Sequence, residues 1–117
     1  MNKKEENYQK FCEQMDVNSF ADYMAIETYV GNTDWAYGYL NNWMVWRSEI
    51  VDSSLEKADK KWRFILYDLD LSSGLYGSHD TSYSYDSLGH IDVPWNDFNF
   101  AAMLKSLIKN KTFRNTF

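Results

Sequence analysis

With 117 residues the chain is long enough for one domain with a modest core, and its 44% hydrophobic and 25% charged content is that of a globular protein rather than a disordered one. A net charge of −5 with no basic stripe excludes non-specific nucleic-acid binding. No apolar run reaches the roughly 20 residues of a membrane span, and a single cysteine, Cys12, excludes an internal disulfide or a cysteine-based zinc site.

In chain order, the opening segment "MNKKEENYQK" lacks the apolar centre of a signal peptide. Residues 4–14 read as a helical turn or two. The first strong element begins at "DVNSF", where Asp16 or Asn18 can cap the free amides of a first turn. Phe20, Tyr23, Met24 and Tyr29/Val30 then recur at helical spacing, which predicts an amphipathic helix over 18–30, stopped by Gly31. Residues 31–42 form a loop rich in glycine, asparagine and aromatics. "WMVWRSEI" (43–50) and "KWRFILYD" (61–68) are β-branched and aromatic, and the polar stretch between them predicts an antiparallel hairpin. Residues 71–95 carry no regular pattern. In "WNDFNFAAMLKSLIKN", Asn96 or Asp97 can cap a helix, and Phe100, Met103, Leu104, Leu107 and Ile108 form its apolar stripe. "KTFRNTF" begins a further amphipathic helix.

This order carries a chemical consequence. In an antiparallel pair the start of the first strand and the end of the second are neighbours. The Asn41-Asn42 pair and the Asp68-x-Asp70 pair are therefore expected side by side, with Asp34 in the entry loop to the first strand. A loop carboxylate, a side-chain amide and carboxylates at a strand end are hard oxygen donors of the kind magnesium and manganese accept. Phosphoryl transfer uses such a set, one Asp orienting the acceptor hydroxyl while Asn and a second Asp hold metal. Taken singly, each of these residues is also an ordinary turn former.

The run "NTDW…NNWMVWR…KWRFILYDLDLSSGLYG" resembles the CotH family, spore-coat and related bacterial proteins with an atypical protein-kinase-like fold. The likeness extends from about Phe20 to Phe117 and includes "PWNDFNFAAMLKSLIKNKTFRNTF". It implies an α+β fold: part of a kinase-like C-terminal lobe, with helices packed around a short antiparallel hairpin. It also implies an ATP-dependent kinase of proteins using Mg²⁺ or Mn²⁺. On this resemblance Asp34 matches the catalytic aspartate, and Asn42 and Asp68 match the metal-holding asparagine and aspartate. Asp70 is the second acidic position, either a direct ligand or a support for one. Seven residues separate Asp34 from Asn42 where the kinase pattern has four, so the loop carries an insertion of about three.

Neither a glycine-rich phosphate loop nor a strand-borne lysine stands before Asp34. The expectation is a single partial domain over residues 1–117 whose nucleotide lobe belongs to the same, longer protein, and which is inactive by itself. The partners implied by the resemblance are that lobe and a protein substrate such as a coat or surface protein, in the spore coat or at the cell surface. The alternative is a non-catalytic binding module of such an assembly, its face made of Trp35, Tyr37, Tyr39, Trp43 and Trp46, with Arg47 and Arg63 pairing carboxylates to hold the hairpin. A glycosidase built on Asp34 and Asp68 ranks behind both, because that chemistry has no use for the asparagine pair.

Overall fold

The computed structural model describes residues 3–32, 34–35, 41–73, 86–91 and 99–117. Among these the architecture is α+β, with five helices and one two-stranded antiparallel sheet. The central helix, α2 (Val17–Val30), starts where expected: Asp16 is extended and its Oδ1 accepts from the Ser19 amide. It ends in a Schellman motif, the Gly31 amide donating to the Thr28 carbonyl and the Asn32 amide to that of Glu27. Gly31 has φ 63°, a left-handed conformation that a Cβ would strain.

Helix α1 (Lys3–Gln14) is longer than expected. Its signal was present in Tyr8, Phe11, Cys12 and Met15, which fall at i, i+3, i+4 and i+7 and pack in or against the core. Cys12 is a half-buried free thiol.

The hairpin forms as predicted but is short. Strand β1 (Met44–Trp46) pairs with β2 (Arg63–Ile65) in the register Met44↔Ile65, Val45↔Phe64 and Trp46↔Arg63. Its ladder stops at Trp62 because that residue's backbone is used elsewhere. The Trp62 amide donates to the Gln14 carbonyl at 2.9 Å, and its carbonyl accepts from the Asp16 amide at 3.0 Å, stitching the α1–α2 corner to the hairpin. Further out, the Lys60 amide donates to the Ser48 hydroxyl rather than to a facing strand.

Arg63 holds this assembly together. Nearly buried, it donates from Nε to Asp16 Oδ2 at 2.9 Å, and from Nη1 and Nη2 to the two Asp59 oxygens at 2.8 Å each. Nη1 also reaches the Lys57 and Lys61 carbonyls. Arg47 lies over the Trp62 ring, and among the described residues it pairs with no carboxylate.

The hydrogen bond from Arg63, reinforced by the Lys61 amide, holds the Asp59 carboxyl far below the ordinary carboxylate range. A depressed folded value means that its stabilising effect is complete above the unfolded value, about 3.9. The effect fades as pH falls towards the folded value. We expect Asp59→Asn to flatten the acid limb of a stability-against-pH curve below about pH 4. An unchanged limb would show that the pair is decoupled from folding.

The core is aromatic. Phe20, Trp35 and Phe113 are fully buried with Met24, Ala101 and Leu104. Tyr23 stacks on Phe64 at 4.8 Å, and Phe64 meets Phe100 edge-on at 5.0 Å. Trp35 is thus a core residue and not part of an exposed binding face; Trp43 and Trp46 are partly exposed, and Tyr37 and Tyr39 lie outside the described residues.

Phe100, Leu104 and Leu107 of α4 (Asn99–Leu107) close the core, while Met103 and Ile108 pack at its margin. The expected caps Asn96 and Asp97 lie outside the described residues. Asn110 caps α5 (Lys111–Thr116), and its Nδ2 reaches Glu5 Oε2 on α1. Within the stretch read as irregular, Ser87–Ile91 forms a short helix, α3, with Ile91 buried. No helix among the described residues is long and apolar enough to cross a membrane.

Candidate functional site

Three chain segments meet at one end of the hairpin. The first is the exit of α2, where Asn32 is fully buried and bonded on every side. Its amide and Nδ2 donate to the Glu27 carbonyl and carboxylate, at 3.1 and 2.8 Å. Its Oδ1 accepts from the Asp34 amide at 3.1 Å, and its carbonyl accepts from Trp35 Nε1 at 3.0 Å. Asp34 is therefore held by its own backbone, and Trp35 beside it is anchored against Tyr23 and Phe100.

The second segment enters β1. Asn42 Nδ2 donates to Asp34 Oδ2 at 2.9 Å, and Asn41 Nδ2 donates more weakly to the same oxygen at 3.3 Å. A carboxylate can only accept, so the Asn42 amide must present its NH₂ to Asp34. Its carbonyl oxygen is left as a donor of the type a hard cation takes. The longer spacing between Asp34 and Asn42 does not prevent this contact. Trp43 packs edge-on to Phe100 at 5.4 Å, so Asp34 and Asn42 each adjoin an indole seated on one ring.

The third segment leaves β2. Asp68 and Asp70 are exposed, and the turn that follows is tied down by the Ser73 amide, which donates to the Val30 carbonyl at 2.7 Å. The last carbonyl of α2, that of Val30, is thus satisfied by the segment that carries the aspartates. Asn42 has φ 51° and Asp68 φ 57°, so at this one end of the ladder both the entering and the leaving chain turn through the left-handed region. Asn and Asp are the side chains that tolerate it best.

The Asp68 carboxyl is pushed above its ordinary value. Hydrogen bonding with Asp70 contributes most, followed by partial desolvation and the negative charges of Asp70 and Asp34. Carboxylates crowded in this way are relieved by a proton or by a cation. The donor set, two or three carboxylates and an amide oxygen, fits Mg²⁺ or Mn²⁺. Among the described residues no three His, Cys, Asp or Glu side chains form a ready-made metal cluster.

The structure thus joins Asp34 to Asn42 directly, and brings Asp68 within electrostatic range of both Asp34 and Asp70. Sequence reading missed Glu27 and Asn32. Glu27 is a charged residue in an amphipathic helix, yet it lies three and four residues beyond Met24 and Tyr23, on the buried face. That position was the available signal.

A family model described as "CotH kinase protein" matches residues 1–117 of the chain. No curated protein and no solved structure matches it.

Proposed function

The chain belongs to the CotH family, and from that premise we propose that it forms the catalytic and metal-binding part of a kinase-like phosphotransferase. The reaction moves the γ-phosphoryl group of ATP to a protein hydroxyl. The observation that carries this reading is the Asn42–Asp34 hydrogen bond, with Asp68 beside it across the hairpin. The asparagine directs its NH₂ to Asp34 and keeps its carbonyl oxygen available to metal.

In this reading Asp34 accepts a hydrogen bond from the substrate hydroxyl and takes its proton as the oxygen bonds to the γ-phosphorus. The bond from that phosphorus to the bridging oxygen breaks, and ADP leaves. Asn42 Oδ1 and the Asp68 carboxylate, with Asp70 as ligand or support, would hold Mg²⁺ or Mn²⁺. When bound, the cation neutralises charge on the phosphate oxygens. The nucleotide-covering lobe and its lysine are supplied from outside these 117 residues, and the kinase-like C-terminal-lobe assignment belongs to the same proposal.

Asp34→Asn tests the acceptor role in the full-length protein. The variant keeps an oxygen for Asn42 but cannot take a proton. It should bind ATP as the wild type does, while transfer to a protein substrate falls by about 10²–10⁴-fold. Undiminished transfer in the variant would remove Asp34 from the acceptor role, whereas a wild-type protein that transfers no phosphate would move the assignment to a non-catalytic binding module of a coat or surface assembly.

A further inference from the structure

Behind the site lies a carboxyl group for which the reaction above has no use. Glu27 is completely buried in α2, among Tyr23, Met24 and the α2–Asp34 turn. One of its oxygens, Oε2, accepts from Asn32 Nδ2 at 2.8 Å. Among the described residues the other, Oε1, has no hydrogen-bond partner of good geometry, and neither does the buried Tyr23 hydroxyl one turn earlier, although the two side chains lie close enough to perturb each other's titration. Burial raises the Glu27 carboxyl, against the pull of Asn32 and Tyr23.

An incompletely satisfied buried carboxyl is costly. A helix that needed only packing at this position would be better served by leucine or methionine. The one strong contact Glu27 makes is to Asn32, and Asn32 carries the bond to the Asp34 amide. The connection runs in a single line: Glu27 Oε2 to Asn32 Nδ2, Asn32 Oδ1 to the Asp34 amide, and Asp34 Oδ2 to Asn42 Nδ2. Without the Glu27 oxygen, the Asn32 amide could rotate and release the Asp34 backbone.

We propose that Glu27 is a positioning residue for Asp34, setting through the Asn32 amide where the Asp34 carboxylate stands relative to the acceptor hydroxyl. It touches neither substrate nor metal. Its kinetic consequence rests on the phosphotransfer reading; the positioning itself does not.

The test uses the full-length protein and two readouts, steady-state transfer and hydrogen exchange of the Asp34 backbone amide. Glu27→Met keeps the volume and removes the acceptor, leaving the buried Asn32 Nδ2 without its partner. It should melt below the wild type while still folding at assay temperature, and lower kcat by about 10–100-fold with the KM for ATP unchanged. Exchange at Asp34 should speed up by about tenfold or more. Glu27→Gln, which retains an acceptor, should keep kcat within about threefold of the wild type.

A reciprocal pair serves if Glu27→Met does not fold. Asn32→Asp alone sets two carboxyls against each other and should depress kcat. Adding Glu27→Gln restores one donor and one acceptor with their roles exchanged, and should recover transfer. Wild-type kcat and exchange in Glu27→Met would overturn the proposal, as would a double variant no better than Asn32→Asp. A wild-type protein that transfers no phosphate would sink the phosphotransfer reading, and faster exchange at Asp34 in Glu27→Met would still establish the positioning link.

Discussion

Replacing Asp68 in the full-length protein is expected to lower phosphate transfer by about a thousandfold or more, and to weaken Mg²⁺ or Mn²⁺ binding in the presence of ATP. The choice of substitution matters. Asp68 has φ 57°, where alanine adds about 1–2 kcal/mol of backbone strain and asparagine very little. Asp68→Asn therefore isolates the lost charge, and Asp68→Ala adds the removal of both oxygens. If transfer falls in both while the fold melts unchanged in Asp68→Asn, the effect lies at the metal. Metal titration by calorimetry, with and without ATP, reads this directly. Transfer and metal affinity that survive both substitutions would remove Asp68 from the site.

The second large effect is structural. Arg63→Met should destabilise the fold by about 3 kcal/mol, the lower end of what breaking a buried ion pair costs. In a domain of this size that is a fall in melting temperature of about 10–15 °C. The side chain joins Asp16, which caps α2, to Asp59 in the hairpin loop, and also binds two loop carbonyls. Methionine would fill the space and leave the Asp16 side chain with only its cap bond. Asp59 is more exposed than Arg63, so Asp59→Asn should cost less than Arg63→Met. Chemical denaturation of the two variants checks the order, and equal stabilities would show that Arg63 is not the pin of the hairpin. Because β2 leads into Asp68, Arg63→Met should also reduce transfer before it unfolds the protein.

Much of the fold was legible because local rules decide it. The Asp16 cap, the Gly31 stop, the hairpin and the α4 stripe each depend on residues near one another in the chain. The antiparallel pairing also predicted that the Asn41-Asn42 and Asp68–Asp70 segments would meet, since hairpin topology alone sets which strand ends are neighbours. The length of the strands was not legible. Trp62 reads as strand, and only the α1–α2 corner, distant in sequence, claims its backbone. Nor was the fate of the aromatics: Trp35 and Trp43 look alike in sequence, but one is sealed in the core and the other partly open to water.

What the sequence by itself determined, then, is α2, the hairpin and the α4 stripe, the family likeness and the candidate oxygen donors, because propensity, capping and strand alternation act over a few residues. The tertiary structure decided how those donors are aimed. Asn42 turns its NH₂ to Asp34, Ser73 ties the Asp68 turn to the end of α2, and Glu27 reaches Asn32 from inside the helix. Each of these contacts is made across a turn, and its geometry follows from how the aromatic core seats the segments on either side.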